Sequence, residues 1–271
     1  MRSSVGALGL SALLVAGCAA TGGTDGGGDS AAAAAVTRAA AKAEQPVSVR
    51  YRMTGRTPEE GRIKAEAAIG VKPAAMSLKS TALDGSEKGT GEIRLVDGVL
   101  YVGSDEADED GKHWVKFGAP GAPLSGLNVD TGPAADQVRD NPSHESGFLA
   151  AADDLKKAGT ETVDGVRTTH YTGTATLDDI RAAYKGDAKK VRQRTEKSVA
   201  QYEKLGVDEL TMDLWTDGAD RARQLRMRGF GRHGELDLTI TFHDYGKPVT
   251  VKAPPASDTV DMAKELKKAG D

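Results

Sequence analysis

The sequence has little cysteine, few aromatic residues and no long apolar run. One cysteine, Cys18, stands among 271 residues, so an internal disulfide and a cysteine-rich zinc site are both excluded. Aromatic residues make up only 4% of the chain, which leaves aliphatic side chains and alanine to build the core. No apolar run approaches the ~20 residues that a transmembrane helix needs. These shortages exclude a disulfide scaffold and a bundle of membrane-spanning helices.

Basic residues are also too few for a nucleic-acid-binding protein. Lys and Arg number 36 against 40 Asp and Glu, a formal net charge of −4, whereas phosphate binding needs a strongly basic face. The five histidines show no zinc-ligand spacing, and no serine lies in the Gly-x-Ser-x-Gly pattern of hydrolases. We therefore expect no nucleic-acid partner, no metal and no cofactor. We also expect no enzymatic activity, because the sequence suggests no convergent polar cluster.

The N-terminus has the outline of a secretory signal peptide. Arg2 precedes an apolar run over residues 5–15, and two small residues separate that run from Cys18. This order of an aliphatic residue, Ala, Gly and Cys resembles the lipobox of bacterial lipoproteins. The resemblance implies removal of residues 1–17 and a diacylglyceryl group on the Cys18 thiol. The protein would then be lipid-anchored to the cell membrane on its extracytoplasmic face.

The remaining chain divides into an N-terminal segment, one domain and a tail. In residues 18–44 a Gly-rich tether follows the lipidated cysteine and gives way at Ala31 to an Ala-rich stretch, which is predicted to be helical. Residues 45–255 contain no internal linker and are predicted to form a single, monomeric domain. Residues 256–271 are predicted to be a tail or a short helix.

Strict alternation of apolar and polar residues is the strongest pattern in the chain. It is clearest in residues 47–54 and 235–242, and a period of two predicts half-buried strands of an antiparallel sheet. Asp-Gly pairs that begin at Asp97, Asp164 and Asp217 separate further strand-like segments and predict hairpins. The most economical topology is an up-and-down meander.

Helical patterns are fewer. A helix is predicted to begin at Ser143 or Ser146 and to end at Gly159. Thr176 is predicted to cap a second helix, because the carboxylates after it would meet the positive end of the helix dipole. This second helix is predicted to break at Gly186 and to resume after it.

Two segments have both a structural and a functional interpretation. Residues 181–204 hold eight Lys or Arg against three Asp or Glu, so this helix has a solvated basic face, which we favour, or contacts anionic lipid headgroups. Residues 229–234 match the GxGxxG pattern of dinucleotide-binding proteins. A strand pattern follows them instead of a helix, which favours a hairpin turn.

Three further motifs carry a resemblance to a known family. They read Met212-Asp213-Leu214-Trp215, His243-Asp244-Tyr245-Gly246-Lys247-Pro248-Val249 and Asp97-Gly98-Val99-Leu100-Tyr101-Val102. These motifs resemble the LppX/LprG-type lipoproteins, which are related in fold to the carrier LolA. The resemblance covers most of residues 45–255. It implies an α+β fold, a strongly curved antiparallel β-sheet (half-barrel) with helices packed on its concave face and lipid held between the two layers.

Family members have no catalytic motif to transfer, so candidate ligand contacts are inferred from strand alternation alone. The residues predicted to line a hydrophobic cavity are Val49, Tyr51, Met53, Ile63, Met76, Leu78, Met212, Leu214, Leu225, Met227, Leu238, Ile240 and Phe242. We expect the protein to bind a lipid or acylated ligand and to take part in envelope lipid or lipoprotein transport. The alternative is a sensor or protein-binding module of the envelope, with an envelope protein partner, that uses the same fold with a filled core.

Overall fold

The structure is a computed structural model that describes residues 26–45, 47–84, 88–118 and 141–270. Cys18 and the predicted signal peptide lie outside these residues. Among the described helices, none is long and apolar enough to cross a membrane.

Twelve strands form one open sheet, in the order β12-β6-β5-β4-β3-β2-β1-β11-β10-β9-β8-β7. The strands are β1 (Val49–Thr57), β2 (Gly61–Val71), β3 (Ala74–Ala82), β4 (Gly89–Val96), β5 (Val99–Ser104), β6 (Trp114–Phe117), β7 (Lys156–Val163), β8 (Val166–Thr176), β9 (Glu209–Thr216), β10 (Ala222–Gly231), β11 (Gly234–His243) and β12 (Thr259–Asp261). All neighbouring pairs are antiparallel except β12 and β6, so the predicted antiparallel sheet is confirmed.

The sheet consists of two meanders joined side by side. Strands β1 to β6 form the first meander and β7 to β11 the second, and β1 pairs with β11 where the two meet. The Asp-Gly turns after β4 and β7 have positive φ at both residues, 50° and 78° at Asp97 and Gly98, which suits tight hairpins. The turn after β9 is longer: it spans residues 217–221, and its positive φ lies at Asp220 and not at the Asp217-Gly218 pair.

The helices are α1 (Gly26–Ala43), a 3-10 helix η1 (Pro142–Ala151), α2 (Leu177–Ala183), α3 (Lys189–Lys204), a short 3-10 helix η2 (Ala256–Asp258) and α4 (Met262–Gly270). The first helix begins five residues before the predicted Ala31. Thr176 caps α2 as predicted: its Oγ1 accepts a hydrogen bond from the Asp179 N–H, and the Asp179 carboxylate accepts one from the Thr176 N–H.

The helix predicted to run from Ser143 or Ser146 to Gly159 is wrong in type and extent. Asn141 caps a 3-10 helix by accepting a hydrogen bond from the Ser143 N–H, and the helix ends at Ala151. Gly159 instead lies in β7, where the chain pairs with β8 around an irregularity between Lys157 and Gly159. Pairing with a neighbouring strand overrides the local helical pattern there.

Helices cover one face of the sheet, which we call the inner face. Helix α1 packs against η1 and β7, and η1 packs against β8, β9 and β10. Val36 and Ala39 of α1 lie in the same buried cluster as Leu149 of η1 and Val199 of α3. The core therefore lies between the helices and the inner face of the sheet, and it includes Ile69, Met76 and Leu95 of the first meander.

Candidate functional site

All thirteen residues predicted to line a cavity lie on the inner face. The strand registers show this, because directly paired residues share a face: Tyr51 pairs with Phe242, Met53 with Ile240, and Leu225 with Leu214. The same holds for the other members, which are Val49, Ile63, Met76, Leu78, Met212, Met227 and Leu238. The alternation therefore placed every one of these side chains on the correct face.

The members differ in how deeply they are buried. Met212, Leu214 and Leu225, on β9 and β10, are completely buried in the core beneath the helices. Met53 of β1 and Leu78 of β3 are only partly buried and pack at the margin of that core. Val49, Ile63 and Met76 of the first meander are also buried, whereas Leu238 of the second is only partly buried, so the depth of burial varies along both meanders. Ligand contact by these thirteen residues stays a prediction.

An open cleft lies between the helices and the end of the first meander that holds the β2–β3 turn. Its volume is about 640 Å³, within the ~300–1,000 Å³ typical of small-molecule pockets. One wall is apolar and is formed by Val47, Ile69, Val71 and Ala74. We call this space the end cleft. None of the thirteen predicted residues lines it, although Ile69 and Val71 continue the inner face of β2.

The opposite wall of the end cleft is basic. It comes from the N-terminal half of α3, which contributes Lys190, Arg194 and Lys197 together with Val191. Glu44, just after α1, forms an ion pair with Arg194 across the cleft. Amphipathic α3 therefore turns cations toward this cleft while Val199, further along the helix, is buried in the core.

A polar cluster lies at the inner end of the cleft, where η1 meets α3. His144 Nδ1 lies 3.2 Å from Glu44 Oε1 but has no hydrogen-bond partner among the described residues. Burial, and then the nearby Arg194 guanidinium, lower the pKa of His144 to about 4, so the imidazole is neutral at pH 7. Beside it, burial raises the pKa of the Glu145 carboxyl above its ordinary value, although Tyr202 donates a hydrogen bond to it.

A second polar network lies on the outer face, opposite the helices. His170 Nδ1 is 2.9 Å from Glu161 Oε1, and its Nε2 is 2.9 Å from Asp213 Oδ1. The imidazole stacks on Trp215 with ring centroids 4.2 Å apart, and Arg228 donates a 2.6 Å hydrogen bond to Asp213. The network joins β7, β8, β9 and β10.

Sequence reasoning missed both polar clusters and the end cleft. Glu145 and Tyr202 are 57 residues apart, so no short-range spacing pattern in the sequence links them. Outward-facing polar residues on β8 and β9 are a usable signal for the outer network, but the alternation does not say which of them touch. Within the described residues, no group of three or more His, Cys, Asp or Glu side chains is arranged to hold a metal ion.

Comparison with known proteins places the chain near two Streptomyces sequences. No family model matches it. A Streptomyces griseus protein named "Uncharacterized 31.2 kDa protein in rplA-rplJ intergenic region" is 33% identical over 201 residues, 72% of this chain and 62% of the relative. The Streptomyces coelicolor protein named "Putative lipoprotein SCO4650" is 28% identical over 183 residues, 66% of this chain and 54% of the relative. The chain therefore spans less than two thirds of the length of either relative.

Solved structures similar to the chain include two mycobacterial lipoproteins. LprF from Mycobacterium bovis has a TM-score of 0.49 at 14% identity, over 84% of this chain and 99% of that one. LppX from Mycobacterium tuberculosis has a TM-score of 0.46 at 19% identity, over 83% and 100%. The MucA/MucB complex of Pseudomonas aeruginosa gives a TM-score of 0.34 at 16% identity, over 84% and 59%. The open antiparallel sheet with helices on one face is as the sequence predicts.

Proposed function

We propose that this protein is a lipid-anchored lipoprotein on the extracytoplasmic face of the cell membrane. In this proposal it binds a lipid or acyl chain at the inner face of its sheet and takes part in envelope lipid or lipoprotein transport. The lipobox-like order that ends at Cys18 supports the anchor, as does the name of the Streptomyces coelicolor relative. The proposal assigns no catalytic activity to the protein.

The observation that carries the binding proposal is the end cleft with its apolar wall. Val47, Ile69 and Val71 present aliphatic surface to a space of about 640 Å³ that is open to solvent. Burying acyl methylene groups against such a wall is favourable by ~0.8 kcal/mol for each group. The wall also continues into the inner face of the first meander, where Met53 and Leu78 are only partly buried. An acyl chain bound against this wall would therefore have a continuous apolar surface along which to extend.

A second candidate function is a protein-binding envelope module on the same fold. It is favoured by the filled core beneath the helices, where Met212, Leu214 and Leu225 have no exposed surface. A module of this kind would use its surface instead of an interior cavity. The two candidates differ in one measurable property, which is whether the purified protein retains lipid.

The test is native mass spectrometry with solvent extraction on protein made from residue 19 onward. This chain keeps every described residue and lacks the Cys18 thiol, so any lipid found is bound and not covalent. We expect a stoichiometric adduct with the mass of an acyl lipid. Filling the cleft by Ala74→Trp should abolish the adduct, whereas Ala68→Trp, which adds the same side chain on the outer face of β2, should preserve it. A clean apo mass after exposure to envelope lipids would favour the protein-binding candidate.

A further inference from the structure

We infer that the end cleft selects an anionic amphiphile, an acyl lipid whose acidic headgroup lies against Lys190, Arg194 and Lys197. The acyl chain of this lipid would lie along the opposite wall, against Val47 and Ile69. The inference rests on the proposed function, because it names the class of lipid that the same cleft binds.

The three cations lie together because of their spacing on α3. Positions i, i+4 and i+7 of a helix share one face, which for Lys190, Arg194 and Lys197 is the face turned toward the cleft. Glu44 is the one carboxylate among the lining residues, and His144 is neutral at pH 7 because its pKa is lowered. The lining therefore has more positive than negative charge, although the whole chain has a net charge of −4.

The first turn of α3 does nothing to offset this charge. The N-cap residue, Ala188, has no side-chain hydrogen bond to the helix, and the first turn holds no acidic residue. Lys190 instead stands at the positive end of the helix dipole, where a cation is unfavourable. Stability alone does not explain this arrangement, whereas a bound anion would be attracted by both the side chains and the dipole.

Two of the three cations have no anionic partner in the described part of the chain. Lys190 and Lys197 form no ion pair there, while Arg194 is paired with Glu44. The Glu44 carboxylate thus occupies the place at Arg194 that an acidic headgroup would take. Glu44 is 41% exposed in its side chain and follows the end of α1, so a ligand can displace it without disturbing the core.

The decisive experiment compares two lipids with identical acyl chains. Protein from residue 19 onward is incubated with vesicles of dioleoyl phosphatidylglycerol or of dioleoyl phosphatidylcholine, the vesicles are removed by centrifugation, and retained lipid is counted by native mass spectrometry. Removing the vesicles separates binding in the cleft from adsorption to a membrane surface. We expect the anionic lipid to be retained about thirtyfold more than the zwitterionic one, given ~1 kcal/mol for each cation near an anionic headgroup and a net of two positive charges in the lining.

Variants then assign the selectivity to the end cleft. Lys190→Gln with Lys197→Gln should abolish the preference for phosphatidylglycerol, because the lining then has no net charge. The matched control, Lys189→Gln with Lys204→Gln, removes the same charge from the same helix outside the cleft and should leave the preference unchanged. Glu44→Gln should increase retention of phosphatidylglycerol, because it removes the competing carboxylate. Inorganic phosphate alone should not compete at equal concentration, since it lacks an acyl chain.

The outcomes separate this inference from the proposed function. Equal retention of the two lipids would overturn the anionic selectivity and leave lipid binding intact. Equal effects of the cleft and control double variants would also overturn it. If phosphate competed as strongly as lipid, the cleft would be a simple anion site, and the inference of an anionic amphiphile would be overturned. Retention of neither lipid would overturn the proposed function and the inference together.

Discussion

Tyr202 Oη donates a 2.8 Å hydrogen bond to Oε2 of Glu145, which joins α3 to η1 at the inner end of the end cleft. The same hydroxyl lies 3.1 Å from the sulfur of Met227 on β10. Burial, and then the neighbouring Glu145, raise the pKa of Tyr202 well above its ordinary value, so the phenol stays protonated and can only donate to the carboxylate. This contact connects both helices to the inner face of the sheet.

Replacing Glu145 by Gln should stabilise the protein at neutral pH. The folded-state pKa of Glu145 is raised mainly by burial, so the ionised carboxylate is disfavoured in the folded state. Glu145 contributes to the free energy of unfolding while its carboxyl group is protonated. This contribution is lost as the pH rises from the unfolded-state pKa of ~4.5 through the higher pKa of the folded state. A Gln side chain has no charge to bury and its amide oxygen still accepts the Tyr202 hydrogen bond. We expect a gain of about 1 kcal/mol at pH 8 in urea unfolding, smaller at pH 4.

The control for this prediction is Glu209→Gln. Glu209 is exposed at the start of β9, so the change removes the same charge without altering a buried group. Its free energy of unfolding should change by less than about 0.5 kcal/mol at either pH. A Glu145→Gln variant less stable than the wild type at pH 8 would contradict the unfavourable burial of the charge.

Acidification should destabilise the protein through His144. The pKa of this imidazole falls to about 4 in the folded state, below its ordinary 6.5, because burial disfavours its charged form. The unfolded chain therefore binds a proton between these values that the folded chain does not, and stability declines as pH falls from 6.5 toward 4. The loss from this group is at most about 3 kcal/mol. His144→Gln should flatten this part of the stability profile, and an unchanged slope would contradict the assignment.

Local rules predicted some elements because their causes are local. The Thr176 cap depends on Asp179, three residues away, and the turn over residues 231–234 depends on glycines beside an alternating strand. By contrast, alternation gives the face of each residue but not the neighbouring strand. The pairing of Met53 with Ile240 joins strands that are far apart in sequence, so the sequence contains no short-range signal for it.

The candidate site was less predictable than the fold, also for a physical reason. The end cleft brings together Glu44 after α1, Ile69 of β2 and Arg194 of α3, and only the completed tertiary structure places them side by side. A cavity-lining side chain and a core side chain obey the same alternation. For this reason the alternation predicted both Met53 and Leu214 as cavity-lining residues, although Met53 is partly exposed and Leu214 is completely buried.

Replacing Gly55 by Ala should weaken the junction of the two meanders. Gly55 has a φ of 150° and lies in β1 opposite Leu238 of β11. A Cβ atom there would stand 1.9 Å from the carbonyl oxygen of Asp237, so the strands would have to separate. We expect a loss of about 2–4 kcal/mol in urea unfolding. Gly159→Ala is the control, because no atom lies within 4 Å of its added Cβ, and equal losses in the two variants would refute this explanation.

Bulky substitutions on β11 should distinguish the filled part of the inner face from its margin. Ile240 is 3% exposed in the core, so Ile240→Trp should destabilise by about 1–3 kcal/mol through overpacking. Leu238 is only partly buried, so Leu238→Trp should cost less stability. If the acyl chain extends from the end cleft along the inner face, Leu238→Trp should also reduce lipid retention. Denaturant unfolding and the extraction assay measure the two effects separately. Large destabilisation by Leu238→Trp with normal lipid retention would remove this residue from the binding surface.

Asp213 should be the residue on which the outer-face network depends. Its side chain is 10% exposed and receives hydrogen bonds from His170 and Arg228. Burial tends to raise the pKa of Asp213, but these hydrogen bonds outweigh it and lower the pKa below 3.8. The ionised form therefore stabilises the fold above that value, and the contribution is lost as pH falls through the folded pKa. Asp213→Asn should cost about 1–3 kcal/mol near pH 7, because it leaves two donors without their charged partner.

Trp215 offers a local readout of the same change, since His170 stacks on its indole ring with an interplanar angle of 12°. In a Trp114→Phe background Trp215 is the only tryptophan, because the chain has two, and Asp213→Asn should then shift its fluorescence as the imidazole loses its position. Asp237→Asn is the matched control: it breaks an ion pair with Arg226 on the same face but does not touch His170. It should change stability by less than about 1 kcal/mol and leave the emission of Trp215 unaltered. A shift of equal size in both variants would mean that the emission reports general loosening of the outer face and not the position of His170.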